Sequence, residues 1–146
     1  MSSVHVSRSI KIASQPETVF AAMTDWAWQS DWMLGTSVKA GNKNGVGVGG
    51  TIIARTSFGP FGFMDPMTIT QWQPPLRCAV LHTGRIVHGS GLFEVEAIDD
   101  TSSRFCWSEE IILPFGIFGH LGWLIVKGPF ILVLSWSLRR FKHWVE

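Results

Sequence analysis

The last third of the chain, Phe115 to Trp144, limits the fold more than any other stretch. Two uncharged runs, Ile111 to Val126 with 16 residues and Gly128 to Leu138 with 11, flank Lys127. A helix that crosses a bilayer needs about 20 consecutive apolar residues, so neither run spans alone. Joined, they would put Lys127, Gly128 and Pro129 at mid-bilayer, where a charge costs roughly 3 kcal/mol. The stretch therefore reads as a helix gripped by the rest of the chain.

The 146 residues fit one domain, 1–146, long enough to hide roughly two-thirds of the unfolded surface. Hydrophobic residues make up 46% and charged ones 16%, so apolar side chains must line something besides an ordinary small core: a cavity or an apolar interface. The net charge of +1 is dispersed and leaves no electrostatic footprint for nucleic acid. Cys78 and Cys106 form neither a disulfide framework nor a metal spacing. The start, Met1 to Arg8, is polar and alternating, unlike a signal peptide, and a cytoplasmic location is the expectation.

Val4, Val6, Ile10 and Ile12 alternate with polar residues, the period of a half-buried strand. Ser14-Gln15-Pro16-Glu17 places a hydroxyl, a proline and a carboxylate at a helix start, with Ser14 as cap and Val19, Phe20 and Met23 inward. A second short helix, capped by Asp25, carries Trp26, Trp28 and Trp32, too many tryptophans in seven residues to face solvent. Six β-rich runs follow, at 37–40, 51–56, 67–70, 78–81, 92–95 and 105–107, separated by breaks that include 41–50, 58–66 and 84–91. With the first strand they predict a seven-stranded antiparallel meander, and a one-sided sheet needs a covering helix. Pro129 predicts a kink or break near Gly128, with the covering helix running from Pro129 to Trp144.

Few residues carry a chemical signal. Gly45 to Gly50 looks like a phosphate loop but precedes a β run instead of opening a helix, so a hairpin loop is the better reading. The five histidines show no metal spacing, no serine lies in a nucleophile elbow, and no cofactor motif is present, so neither metal nor cofactor is expected. In 105–113 the odd positions Phe105, Trp107, Ile111 and Leu113 are apolar, and Glu109 shares their face. An inward carboxylate needs a partner. Extending the parity of Phe93, Val95 and Ala97 back through Gly91 and Gly89 reaches Arg85, which would face Glu109. A bulge at the glycines, sending one or both groups to solvent, is the alternative. His82, Arg77 and Arg55 read as solvated strand residues, and His120 as a core or rim histidine.

The order of strand, two short helices, six-strand meander and long helix resembles the helix-grip fold of the START-like superfamily, in its polyketide cyclase/dehydrase (SRPBCC) branch. The likeness rests on Ser14 to Phe20, His82-Thr83-Gly84-Arg85, Trp107 to Glu110 and Ser137 to Lys142. It implies an α+β domain whose sheet curves around the last helix and encloses a cavity for a hydrophobic molecule such as a lipid, isoprenoid or polyketide. It also maps Arg85, Trp107 and Glu109 to the cavity wall.

Two functions fit. In the favoured one the protein binds or carries a hydrophobic ligand, with Trp26, Trp72, Phe93, Trp107 and Phe130 as apolar contacts and Arg85 with Glu109 orienting one polar group. In the other it is a cyclase or dehydratase, with Glu109 or His120 moving a proton and Arg85 stabilising the enolate. The apolar Phe115 to Val126 segment leaves membrane-surface contact, a partner or self-association as a homodimer open.

Overall fold

The computed structural model describes residues 3–146, without the side chain of Phe58. Strand β1 (Ser3–Ile12) leads through α1 (Pro16–Met23) and a 3-10 turn (Trp26–Asp31) into β2 (Thr36–Ala40). A second 3-10 turn (Asn42–Gly45) precedes β3 (Thr51–Phe58), β4 (Phe61–Gln73), β5 (Arg77–His82), β6 (Gly89–Asp99) and β7 (Ser102–Ile112), and α2 (Ile117–Val145) ends the chain. The seven strands form one antiparallel sheet in the order β1-β7-β6-β5-β4-β3-β2. The first strand thus closes against the last, and every expected strand is present.

Alternation decides which face is covered. Val6 and Ile12 of β1, Met67 and Ile69 of β4, Val95 of β6 and Phe105 and Trp107 of β7 are buried on one face, against α1, the first 3-10 turn and α2. Trp32, fully buried, is the centre of this core: its ring meets Phe141 at 4.7 Å, Trp107 at 6.1 Å, Phe93 at 6.2 Å and Phe105 at 6.3 Å. Aromatic edges against faces suit the ring quadrupole, beyond the area they bury. Trp26 is buried too, its indole N–H donating to the Gly45 carbonyl at 2.8 Å. Trp28, by contrast, is 54% exposed, because with about three residues per turn positions 26 and 32 share a side while 28 falls on another.

Other expectations shift. Ser14 does not cap α1; Gln15 holds the cap position without a side-chain bond, and the Ser14 carbonyl accepts from Ser103 Oγ at 2.8 Å. The residues after Phe58 do not break the sheet, since β4 begins at Phe61 and Pro66 falls one residue before its ladder with β5 starts at Met67. Most clearly, α2 does not break at Gly128 but runs unbroken over 29 residues. A residue before proline is kept out of the helical region mainly by a clash of the proline ring with its Cβ, and Gly128 has none. Apart from its chain neighbours and the helix's own backbone, nothing lies within 4 Å of where that Cβ would be.

Only the second half of α2 is gripped. Leu134, Ser137, Leu138 and Phe141 are buried, Ser137 Oγ accepts from the Leu34 amide at 3.1 Å, and Glu146 Oε2 accepts from the Ala13 amide at 2.8 Å. The first half is bare: Ile117, Phe118, Leu124 and Ile125 are each 70% exposed or more. By length and composition alone this helix could cross a membrane, yet its second half is built into the core.

Candidate functional site

The antiparallel order gathers the β3–β4 turn, the loop 83–88 and the loop 113–116 at one end of the sheet, where α2 also starts. Three polar residues on the inner face meet near this end. In β5, Cys78, Val80 and His82 share a face, so the last residue of the strand points inward and is 8% exposed. In β4, Asp65 continues the inward parity of Met67 and Ile69. Glu109 of β7 continues that of Phe105 and Trp107.

His82 bridges the two carboxylates. Its Nδ1 lies 2.9 Å from Asp65 Oδ1 and its Nε2 lies 3.1 Å from Glu109 Oε2, while Trp107 Nε1–H donates to Glu109 Oε1 at 3.0 Å. The relay runs from β4 to β7 and must pass over β6. It does so at Gly91, which is paired with Glu109; a Cβ there would lie 3.1 Å from both carboxylate oxygens. A strand glycine that otherwise weakens a sheet here leaves space for a charge.

Burial by itself would hold the imidazole neutral, but hydrogen bonds and charge from Asp65 and Glu109 outweigh it and push the His82 pKa up to about 10. The ring is therefore an imidazolium at neutral pH, with both N–H groups donated to carboxylates. Burial pushes the Cys78 thiol up to about 12, which leaves it an inert core group.

The structure brings Phe93, Trp107 and Glu109 together; Phe93 and Trp107 meet edge to face at 5.6 Å. Phe130 is half-buried against the core beside Trp123 at 6.1 Å. Trp26 and Trp72 lie elsewhere: Trp26 is fixed at the opposite end by Gly45, and Trp72 packs edge-on against Phe20 of α1 at 5.3 Å. Arg85 does not face Glu109. It is exposed in the loop 83–88, because β6 begins only at Gly89, whose φ of +125° ends the parity that would have carried Arg85 inward. His120 is exposed on the bare part of α2, Arg55 is exposed, and Arg77 forms a surface ion pair with Glu94 at 2.7 Å. Glu109 thus has His82 as its partner. Nothing in the sequence marks out Asp65, and His82, read there as a solvated strand residue, is buried, because it shares the inward parity of Cys78 and Val80.

The space between the sheet and the second half of α2 is filled by the Trp32 cluster. Two concavities lie outside it, one of about 320 Å³ at Ser3, Leu81, Ser90, Glu110 and Ile112, and one of about 480 Å³ at the far end between Asp25 and Asn44. Among the described residues no group of three metal-ligating side chains could hold an ion. Within the core one polar atom has no protein partner, the Trp32 indole N–H.

Sequence comparison finds no matching family model and no matching curated protein. Structural comparison finds many matches. Zhui aromatase/cyclase from a Streptomyces species superposes with a TM-score of 0.81 at 13% identity, over 99% of this chain and 94% of that one. A protein of Thermus thermophilus reaches 0.81 at 14% identity, over 97% of each chain. The chain has the helix-grip fold. The di-domain aromatase/cyclase BexL matches with a TM-score of 0.71 at 10% identity, over 99% of this chain and half, 50%, of its own. The helix-grip arrangement expected from the sequence is therefore the one formed, seven strands and a long C-terminal helix.

Proposed function

We propose that the protein binds a hydrophobic small molecule of the polyketide-like, isoprenoid or lipid kind, between the inner face of the sheet and the first half of α2, with Asp65, His82 and Glu109 receiving its polar end. One observation carries this reading: a charged relay set into an otherwise apolar wall, beside Trp107 and Phe93 and near the end of the sheet where α2 stands clear of it. Its remaining hydrogen-bonding capacity describes the partner. Both N–H groups of His82 are already donated to the two carboxylates, so only carboxylate lone pairs are left, and these accept from a hydroxyl. The likeness to aromatase/cyclases supports the polyketide-like member of these classes.

The same accounting favours binding over catalysis. A general base near neutral pH needs a free lone pair, and His82 has none while its pKa stands at about 10. A cyclase or dehydratase reading would rest on Glu109 alone, since Arg85 and His120 lie in solvent. Titration with a hydroxylated polycyclic aromatic ketone and its deoxy analogue, followed by tryptophan emission, separates these readings. The hydroxylated compound should bind about tenfold more tightly, the worth of one hydrogen bond to a charged group, and Glu109→Gln, which keeps an acceptor but loses the charge, should shrink that preference. Equal affinity for the two compounds, or no binding with no hydrophobe extracted from the purified protein, overturns the proposal. Turnover that Glu109→Gln abolishes while binding stays intact would favour the enzyme.

A further inference from the structure

The outward flank of the first half of α2 has no cover among the described residues, whereas Trp123 on its inner side packs against the core. Around the helix, Ile117, Phe118, Leu121, Leu124, Ile125 and Leu132 fall on one flank, opposite the flank of Phe130, Leu134 and Phe141 that enters the core, and their exposure runs from 52% to 77%. Monomeric proteins rarely show solvent a contiguous apolar face of this extent. It also continues beyond the helix. Phe115, 82% exposed, turns outward through a left-handed backbone (φ +65°), and Ile86 and Phe61, 64% and 78% exposed, lie on or beside the two other loops at this end of the sheet. Three separate segments thus present apolar tips at one end of the molecule.

Charge selects the occupant. From Ile111 to Val145 the chain has no aspartate or glutamate, while it carries Lys127, Arg139, Arg140 and Lys142 with His120 and His143. Lys127, Arg139 and Arg140 are exposed, the last stacked over Trp136 at 4.8 Å. Arg85 adds a cation among the loop tips. A second copy would bring cation to cation along this helix; an anionic surface would not. Spanning is excluded by reach: Ile117 to Leu132 is 16 residues, about 24 Å of helix against about 30 Å of hydrocarbon, and the residues that follow are packed in the core.

We infer that the first half of α2, with Phe61, Ile86 and Phe115, is a docking face for an anionic lipid bilayer, lying in the boundary between headgroups and acyl chains. The apolar flank supplies burial and the cations supply attraction to anionic headgroups. The end that docks is the end near which His82 and Glu109 sit, so a hydrophobic ligand could pass from bilayer to site without crossing water. The docking itself needs no ligand.

The test is co-sedimentation of the full chain with vesicles of phosphatidylcholine alone and of phosphatidylcholine containing one-third phosphatidylglycerol. Binding to the anionic vesicles is expected, weakening with salt, and lost by about tenfold or more in L124E/I125E and in K127S/R139S. Circular dichroism should show both variants folded, since the altered residues are exposed. Alkaline carbonate should release the protein, and Glu109→Gln should sediment like the parent, which keeps this proposal separate from that of the ligand. Failure to bind either vesicle, resistance to carbonate, or a dimer in light scattering that L124E/I125E makes monomeric each overturns it.

Discussion

The two halves of α2 are almost equally apolar and have opposite surroundings. Leu134, Leu138 and Phe141 are at most 2% exposed, whereas Leu124 and Ile125 are 72% and 77% exposed. Nothing in side-chain chemistry separates a leucine at 124 from one at 134. What differs is reach: Trp32, Phe93 and Phe105 stand under the second half, and no element of comparable bulk stands under the first. Hydropathy states that a helix needs cover; the rest of the fold decides whether that cover is internal.

Paired truncations test this contrast most strongly. Phe141→Ala removes a fully buried ring in contact with Trp32 and Phe105, each at 4.7 Å, and should cost about 3–5 kcal/mol in urea unfolding. Phe118→Ala, at a site 75% exposed, should stay within about 0.5 kcal/mol. Equal losses would mean that the first half packs against the fold in solution, and the contrast would fail.

An effect of similar order comes from the relay. The His82 pKa is about 10 folded and 6.5 in its ordinary state, so the folded protein holds a proton that the unfolded chain releases between these values. The stabilisation is complete below pH 6.5 and is lost as the pH rises through that window to about 10. The urea midpoint should therefore fall from pH 6.5 to pH 10, and His82→Gln should flatten the slope. A flat profile in the parent would show the ring to be neutral. The smallest change is expected at Gly122, in the bare half with nothing within 4 Å of a built Cβ. Gly122→Ala should stabilise by up to about 1 kcal/mol, read in the same titration, because alanine orders more readily in a helix and meets no neighbour. A loss there would reveal a contact.

Much of the framework was legible because it rests on period. The alternation in 4–12 and in 105–113 marks strands whose buried sides are the ones observed, and it turned Glu109 inward correctly. Its partner was less accessible. Asp65 lies between Gly62 and Pro66, residues that read as a break, and it is the pairing with β3, from Ile53 opposite Pro66 to Ser57 opposite Gly62, that makes the segment a strand. Arg85 was drawn inward by a parity that Gly89 interrupts. His82 closes a strand by one residue, and a strand end is where pattern is weakest. The continuity of α2 through Pro129 depends on the residue before it, a local effect that a general rule about proline overlooks.

That continuity has a mechanical side. Pro129 has no N–H, so the carbonyl of Ile125 loses its usual partner where the helix passes from bare to gripped. A rod bends most easily where a strut is missing. Force on the exposed arm, from whatever it leans against, is therefore absorbed at this joint before it can strain the aromatic packing, so the arm can tilt while the body keeps its shape.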